Sequence, residues 1–427
     1  MRILYVTHSF PPHHWRGTEV YTFELAREIS QSHEVSVLYL LDEEAGEKPQ
    51  VRKGDYQGLR VIQIVKRLKP WDPGDYFFDS EMDILFKEVL SDYSPDVIHF
   101  TYFLGGFSTG FLSIAKGKKA KVVVTITDFA AFCPRGQLID QDFQPCAGPR
   151  KCLRCLRCLF DQSILFQNKT LDRFAREYFP TGLSRLINNP GLELLQRRIQ
   201  SVSKGLDGAD HVIFSNSNTR RVFEKQGFSF KKSHVIDFGI DTRAYENHKK
   251  TSSEKMRLGY IGQILPHKGL QTLAQAIQGI PSDRFRLILY GSMDAPGTRE
   301  FFESLHISSG NAIEQRGVFE FSRMNDVLKE IDVLVVPSIW QENSPLIVKY
   351  GLATKTRMIL SDAPGILAGA QKCAGIYRFP TRDSLALREI ILRLMDTGEW
   401  KNPLELQQPL ITDISEHGAI VEKLYRN

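Results

Sequence analysis

The 427-residue sequence predicts an α/β protein in which two doubly wound, Rossmann-like domains face each other across a cleft. Its length suits two large domains, because one domain usually takes roughly 100–200 residues. Each half alternates apolar strand patterns with helical patterns, which is typical of a parallel sheet covered by helices. Between the halves lies the charged, turn-rich segment ENHKKTSSEK, 246–255, which we interpret as a linker.

The first half opens with an apolar strand, RILYVTH, followed by the loop SFPPHHWRGTE and the helix VYTFELAREIS. Further strands are predicted at VSVLYLL, VIQIV, DVIHF, KVVVTIT, HVIFSNS and SHVIDFGID, with a helix at MDILFKEVL. We expect these elements to form the first domain, 1–245, with a cysteine-rich insertion at 133–158.

The second half repeats the alternation. Strands are predicted at RLGYIG, FRLILYG, IEQRGV, DVLVVPS and RMILSD, and helices at GLQTLAQAI, FFESL, MNDVLKEI and PLIVKYGLA. These elements predict a second domain, 246–405, and the amphipathic end of the chain, 406–427, predicts a helix that crosses back to the first domain. Open α/β sheets bind ligands at the carboxyl ends of their strands, so we expect a site in the cleft.

Composition excludes several classes of protein. Apolar residues are 42% and charged residues 25% of the chain, which excludes a disordered or collagen-like protein. A formal net charge of +5 does not require a nucleic acid partner, but it permits an anionic substrate or an anionic membrane surface. No signal peptide or membrane-spanning run of apolar residues is recognisable, so we expect a cytoplasmic protein or a peripheral one at the inner face of the membrane.

The most informative stretch for chemistry is PSIWQENSPLIVKYG, in which a strand ends and a loop carries Glu342 and Asn343 before a helix begins. Ser344 is able to cap that helix and Pro345 suits its first position, and the free amides there suit a phosphate. Upstream, YIGQILPHKG places Lys268 before another helix, where it offers a positive charge to the same cleft. An ordinary capped helix and a solvated lysine are the alternatives.

Together these segments resemble glycosyltransferase family 4, retaining enzymes of the GT-B fold that use nucleotide-sugar donors. The motifs that carry the resemblance are SFPPHHWRGTE, the strand Asp96 to His99, the turn Gly239 to Asp241, the loop Gly262 to Gly269 and the run Pro337 to Pro345. The resemblance implies transfer of a sugar from a nucleotide diphosphate sugar to a glycan or lipid-linked acceptor, as in polysaccharide biosynthesis. It implies no catalytic metal.

The resemblance also implies roles for individual residues. Lys268 would bind the donor diphosphate and Glu342 the donor sugar, and with Asp128 they are the expected catalytic residues. The amides near Asn343 would hold sugar and phosphate, and Gly317 would hold the base. The expected donor-binding residues are Gly17, Thr18, Gln263, Lys268, Gly317, Val318, Glu342, Asn343, Ser344, Pro345, Leu346 and Tyr350.

Five positions depart from the family pattern. Tyr350 stands where a second glutamate usually binds the ribose, and Thr127 stands where a histidine usually faces the reacting sugar. Arg16 replaces one glycine of the first loop, Gln263 replaces an arginine, and the acidic residue after Pro364-Gly365 is missing. These departures favour an alternative, a degenerate member that binds a nucleotide sugar, a glycan or a partner enzyme without turnover. A nucleotide-sugar epimerase of the same fold is a further alternative.

Five of the six cysteines lie between Cys133 and Cys158. Tetrahedral coordination of zinc by thiolates needs four cysteines, and this cluster supplies Cys133, Cys146, Cys152 and Cys155, with Cys158 as an alternative ligand. We therefore predict a structural zinc; free thiols, a disulfide and an iron–sulfur site stay open. Basic residues flank the insertion, among them Lys116, Lys118, Lys119 and Lys121, which fit either anionic lipid headgroups or a solvated face.

Overall fold

The protein is described as a computed structural model for residues 1–43, 48–68, 77–140, 142–149, 155, 158, 190–307, 312–366, 375–405 and 411–427. The chain forms two compact units. The first unit comprises Met1–Ile236 together with Gly418–Asn427, and the second comprises Asp237–His417.

The first unit is built on an eight-stranded sheet in the order β3-β4-β2-β1-β5-β6-β7-β8. Its strands are β1 Arg2–Thr7, β2 Glu34–Leu41, β3 Gln50–Tyr56, β4 Leu59–Val65, β5 Val97–Phe100, β6 Lys121–Ile126, β7 His211–Phe214 and β8 Ser233–Val235. Its helices are α1 Gly17–Ile29, α2 Ser80–Tyr93, α3 Phe111–Lys116, α4 Pro190–Gly208 and α5 Ser217–Lys225. Every neighbouring pair is parallel except β3 with β4.

Strand β3, at the edge of this sheet, is not among the predicted elements, whereas its antiparallel neighbour β4 contains the predicted strand VIQIV. Strand β3, QVRKGDY, is largely exposed and charged, so it lacks the apolar pattern that indicates a buried strand. It joins β4 through Gln57 and Gly58, whose φ values of 48° and 83° suit a tight hairpin turn. The central strands behave as their apolar sequences predict, and β1 is buried from Ile3 to Thr7.

The second unit has a six-stranded sheet, all parallel, in the order β11-β10-β9-β12-β13-β14. Its strands are β9 Met256–Ile261, β10 Phe285–Tyr290, β11 Ile313–Gly317, β12 Val333–Val336, β13 Arg357–Ser361 and β14 Ile376–Phe379. Its helices are α6 Leu270–Ile277, α7 Thr298–Ser304, α8 Met324–Lys329, α9 Leu346–Ala353 and α10 Ser384–Thr397. The predicted fold class, two Rossmann-like α/β units, is confirmed.

The last helix, α11 Ile414–Arg426, begins in the second unit and ends in the first. In the first unit the Tyr425 hydroxyl oxygen lies 2.8 Å from that of Tyr5 and 2.6 Å from Nδ1 of His99. In the second unit Ile240 forms a parallel bridge with Asp413. No helix in the described ranges is long and apolar enough to cross a membrane.

Candidate functional site

Two loops of the second unit meet because Gly269 has no side chain. Gly269 follows the short 3-10 turn Pro266–Lys268 and has a φ of 78°, in the left-handed region that favours glycine. A Cβ at this position would collide with the carbonyl oxygen of Pro337. The Ile339 amide donates to the His267 carbonyl oxygen at 3.0 Å. The loop after β9 therefore packs directly on the loop after β12.

This packing brings Lys268 and Glu342 together, as the sequence predicts for residues of one site. Nζ of Lys268 donates to Oε1 of Glu342 at 2.8 Å, and the two side chains are 24% and 8% exposed. The same oxygen accepts from Oγ of Ser338 at 3.0 Å and from Nε1 of Trp340 at 2.7 Å. Three donors thus hold the Glu342 carboxylate in one orientation.

Trp340 also contacts the lysine, because Nζ of Lys268 lies 4.9 Å from the centre of the indole ring. A cation over an aromatic face is attracted by the ring quadrupole. The indole therefore binds both members of the ion pair, the ammonium through its face and the carboxylate through its N–H. A tryptophan two positions before the glutamate is the sequence signal that could have identified this residue.

The helix after Glu342 begins one residue later than predicted. Pro345 is its N-cap and provides no side-chain cap, and the Val348 amide donates to the Pro345 carbonyl oxygen at 3.1 Å. Ser344 does not cap the helix, because its Oγ donates instead to Oδ1 of Asp237 at 2.9 Å. Asn343 and Ser344 are buried, and Leu346 is the first helical residue. The N-terminal turn of α9 therefore stays a candidate binding site for an anion, as expected for the first amides of a helix.

Lys349, which is buried, forms a second ion pair with the half-buried Asp237, and the sequence does not predict it. Its Nζ lies 2.5 Å from Oδ2 of Asp237, whose other carboxylate oxygen accepts from Ser344. The carboxylate of Asp237 therefore links the N-terminal loop of α9 to the body of the same helix. Asp237 is the first residue of the second unit, so this link also fixes where the chain enters it.

Tyr350, the residue at the expected ribose position, is 2% exposed. Its ring centre lies 5.6 Å from the rings of Tyr245 and Phe321. The side chain thus belongs to an aromatic cluster of the core, where a carboxylate would be costly to bury.

Three glycines lie where β9, β10 and β11 end. A Cβ on Gly291 would collide with the carbonyl oxygen of Gly262, and the Gly291 amide donates to the Gly317 carbonyl at 2.8 Å. Gly317 has a φ of 67° and no atom within contact distance of an added Cβ, and Val318 beside it is 70% exposed. Gln263 is half-buried next to Gly262. This edge leaves open backbone where the base is expected.

In the first unit, Gly17 and Thr18 begin α1. Arg16 precedes the helix with an extended backbone and makes no side-chain cap. Gly17 is exposed, with no atom within contact distance of an added Cβ, and Thr18 is half-buried. Gly17 and Thr18 thus leave part of the first turn of α1 accessible, and their contact with a diphosphate stays a prediction.

Asp128 follows β6 and is half-buried. Its Oδ1 accepts from the Ala130 amide at 2.7 Å and its Oδ2 accepts from the Tyr102 hydroxyl at 3.0 Å. Burial raises the pKa of Asp128 to about 6, although both hydrogen bonds and the charge of Arg198 act in the opposite direction. Oγ1 of the neighbouring Thr127 donates to the Thr101 carbonyl at 3.2 Å.

The cysteines are only partly described. Cys133 is buried, and Cys146 donates its amide to Leu138 at 2.8 Å in a small hairpin of the insertion. Cys155 is buried in an apolar cluster with Phe77 and Leu195, and Cys158 is half-buried. Cys152 lies outside the described residues. Within the part of the chain that is described, no three His, Cys, Asp or Glu side chains are grouped to hold a metal ion.

Two Rossmann-like units, the second with an ion pair and open amides at the carboxyl edge of its sheet, define a protein of the GT-B class. The family described as glycosyl transferases group 1 matches residues 255–397, and glycosyltransferase family 4 matches residues 15–136. The chain belongs to the family 4 type of glycosyltransferase, enzymes that use nucleotide-sugar donors.

Solved structures agree with this fold. A sucrose-phosphate synthase from Thermosynechococcus elongatus matches with a TM-score of 0.68 and 14% identity, over 100% of this chain and 98% of that chain. Anabaena HepE in complex with UDP and glucose matches with 0.61 and 14%, over 100% and 95%. An E. coli trehalose-6-phosphate structure bound with UDP-2-fluoro glucose matches with 0.63 and 11%, over 100% and 99%. No curated protein sequence matches the chain.

Proposed function

We propose that this enzyme transfers a hexose-type sugar, with retention of configuration, from a UDP-sugar to a hydroxyl group of a glycan or lipid-linked acceptor. The observation that carries the proposal is the Lys268–Glu342 ion pair beside the first-turn amides of α9. A diphosphate needs positive charge and N–H donors, and a sugar needs a fixed carboxylate that accepts from its hydroxyls. The HepE structure with UDP and glucose adds support for this donor class.

On the donor side, the ammonium of Lys268 and the amides near Leu346 stabilise the negative charge that develops on the leaving diphosphate. Glu342 accepts hydrogen bonds from hydroxyl groups of the donor sugar, while Asn343, Ser344 and Pro345 form the loop around it. The open backbone of Gly317 and Val318 receives the base, and Gln263 lies in the same donor region, whereas Tyr350 packs in the core and makes no contact with the donor.

On the acceptor side, Asp128 accepts the hydrogen of the attacking hydroxyl group, and Gly17 and Thr18 lie against the diphosphate. A carboxylate with a pKa of about 6 is largely ionised at neutral pH and is still able to take up a proton. No metal ion takes part in these steps.

The test begins with calorimetric binding of UDP, GDP, ADP and their glucose derivatives, followed by assays of donor hydrolysis and transfer with whichever donor binds. Glu342→Gln keeps the shape of the side chain and removes its charge. We expect it to lower kcat by about 100-fold while nucleotide binding changes by about threefold or less. Glu320→Gln, an exposed residue of the same unit, is the control. A wild-type protein that binds donors but neither hydrolyses nor transfers them would instead be a degenerate binding protein.

We also propose a structural zinc at the cysteine-rich insertion, with ligands among Cys133, Cys146, Cys152, Cys155 and Cys158. The spacing of the cysteines supports this proposal. The described residues themselves form no group that could hold a metal ion. Elemental analysis of reduced, untagged protein should find about one zinc per chain, and Cys152→Ser should remove it. A preparation that is fully folded without metal would contradict this proposal.

We propose that the enzyme is cytoplasmic and works at the inner face of the membrane. Lys116, Lys118 and Lys119 are exposed next to β6, although Lys116 pairs with Asp210 at 2.8 Å. More protein should therefore co-sediment with vesicles that contain phosphatidylglycerol than with vesicles of phosphatidylcholine alone. Lys118→Glu with Lys119→Glu should abolish the difference, whereas Lys53→Glu, another exposed lysine of this unit, should not.

A further inference from the structure

Three adjacent strands of the first sheet end in polar or titratable side chains that touch one another. His8 follows β1, Tyr102 follows β5 and Asp128 follows β6, and these strands are neighbours in the sheet. The ring centres of His8 and Tyr102 are 4.2 Å apart. The Tyr102 hydroxyl donates to Oδ2 of Asp128 at 3.0 Å. The three residues form a continuous row across the carboxyl edge of the sheet, where α/β sheets bind ligands.

The carboxylate of Asp128 is confined from several sides. Oδ1 accepts from the Ala130 amide at 2.7 Å, and a Cβ on Gly136 would lie 3.0 Å from Oδ2. Arg198 of α4 is buried and donates to the Ala130 carbonyl oxygen, so it braces the same turn from below. Tyr102 and Arg198 are the titratable and charged side chains that act on this carboxylate in the described part of the unit. Among the described residues, the side-chain hydrogen bond found at this carboxylate comes from Tyr102.

The ring of Tyr102 is confined in its turn. Its edge and the Cβ of His8 lie 3.2 Å and 3.3 Å from where a Cβ on Gly105 would be, so the loop after β5 folds closely over both side chains. Nε2 of His8 is 3.3 Å from Oε1 of Glu19, which is 1% exposed on the first turn of α1. This oxygen of Glu19 has no hydrogen-bond partner among the described residues, and burial lowers the pKa of His8 to about 4, so a neutral imidazole lies beside the carboxyl group. The imidazole packs against the phenol of Tyr102.

We propose that Tyr102 is a positioning residue for Asp128, and that His8, packed against the ring of Tyr102, keeps that ring in place. This inference rests on the proposed function, in which Asp128 meets the acceptor hydroxyl. The phenol occupies one side of Oδ2, so it directs the remaining lone pairs of the carboxylate toward the acceptor. It also favours the ionised form of Asp128, the form that accepts a hydrogen bond from a hydroxyl group.

The first experiment replaces Tyr102 by phenylalanine and follows the protonation of Asp128. The signal is the infrared carbonyl band of the protonated carboxyl group, isolated as the difference between each protein and the same protein carrying Asp128→Asn. Loss of a hydrogen bond to a charged group should move the midpoint upward by about one pH unit. The matched control is Tyr93→Phe, because the Tyr93 hydroxyl donates to the Ile3 carbonyl in the same unit. This control should lower stability without moving the midpoint.

The second experiment tests the support from His8. His8→Phe keeps a ring against Tyr102 and should leave the midpoint of Asp128 within about 0.3 pH units of wild type, since the phenol keeps its place. His8→Ala removes the ring and should shift the midpoint in the same direction as Tyr102→Phe. Thermal unfolding of each variant shows that the proteins compared are folded. If His8→Ala does not fold, the protonation midpoints of Asp128 in His8→Phe and Tyr102→Phe still show whether Tyr102 acts on Asp128.

The acid limb of kcat/KM for UDP-glucose hydrolysis should move together with the infrared midpoint. An unchanged midpoint in folded Tyr102→Phe would overturn the inference even if the enzyme is active. A protein that shows the shift but neither binds nor hydrolyses UDP-glucose would retain the Tyr102–Asp128 coupling and lose the proposed function. The two failures are therefore distinguishable.

Discussion

Replacing Lys268 with alanine tests whether the ion pair of the second unit serves the diphosphate. In the structure, Nζ of Lys268 is 2.8 Å from Oε1 of Glu342, and the lysine side chain is still 24% exposed, so part of the ammonium faces outward. A charge-assisted contact contributes about 1.5–3 kcal/mol, which corresponds to a loss of about 10- to 150-fold in affinity for UDP. Uridine lacks the diphosphate, and its weaker binding should not change.

Glu342 complicates this reading because alanine at 268 leaves its carboxylate beside the diphosphate. The loss of affinity therefore contains both a missing attraction and a new repulsion. The double variant Lys268→Ala with Glu342→Gln separates them, since it removes the repulsion alone. If Lys268 contacts the diphosphate, the double variant should stay at least about 10-fold weaker than Glu342→Gln for UDP.

Isothermal titration calorimetry with UDP and uridine is the assay, at two salt concentrations because exposed charges are screened. Lys329→Ala is the control, since Lys329 forms an exposed pair with Asp326 in the same unit at 2.8 Å. Equal losses for UDP and uridine, or full recovery of UDP binding in the double variant, would refute the reasoning.

Three further predictions concern stability. Trp340→Phe removes an N–H from Glu342 and should lower the free energy of unfolding by about 1–2 kcal/mol in urea titrations; an unchanged value would mean that this bond contributes nothing. Lys349→Met leaves the Asp237 carboxylate without its cation, and because Ser344 still donates to this carboxylate and the Asp237 side chain is 32% exposed, the loss should be about 1–3 kcal/mol. Adding Asp237→Asn should recover at least half, which a double-mutant cycle measures. Burial lowers the pKa of His417 to about 4 from an ordinary 6.5, so the unfolded state binds more protons between these values. Its contribution of about 3 kcal/mol is thus complete above pH 6.5 and is lost as the pH falls toward 4, and His417→Gln should flatten that decline in unfolding titrations at pH 7 and pH 4.

The sequence predicts the central strands of both sheets, because burial on both faces leaves an apolar run in each strand. It misses β3, whose charged residues lie at an edge, and it misses β14 and α10, although Asp383 caps α10 by accepting from the amides of Leu385 and Ala386. Propensity is a weak guide at an edge, where the strand is stabilised by its one neighbour rather than by burial.

Some residues of the candidate site are predictable from the sequence and others are not. Lys268 and Glu342 are predictable as neighbours, since each follows a strand of one parallel sheet. The partners of that pair are not, because Ser338 and Trp340 reach Glu342 only through the path of their loop. Tyr350 shows the limit most clearly, since a motif position says nothing about whether its side chain faces a ligand or the core.

The helix Ile414–Arg426 has a consequence for how the protein is made. The first unit needs residues Gly418–Asn427, and Tyr425 hydrogen bonds with Tyr5 on its central strand. These residues are synthesised after the whole of the second unit, so most of the chain has emerged from the ribosome before this helix packs on the first sheet. Until then, the Tyr5 hydroxyl and Nδ1 of His99 lack the Tyr425 hydroxyl as a partner, although Nε2 of His99 still lies 2.8 Å from Oγ1 of Thr125. The newly made amino-terminal half is therefore exposed to proteases and chaperones for longer than its early synthesis would suggest.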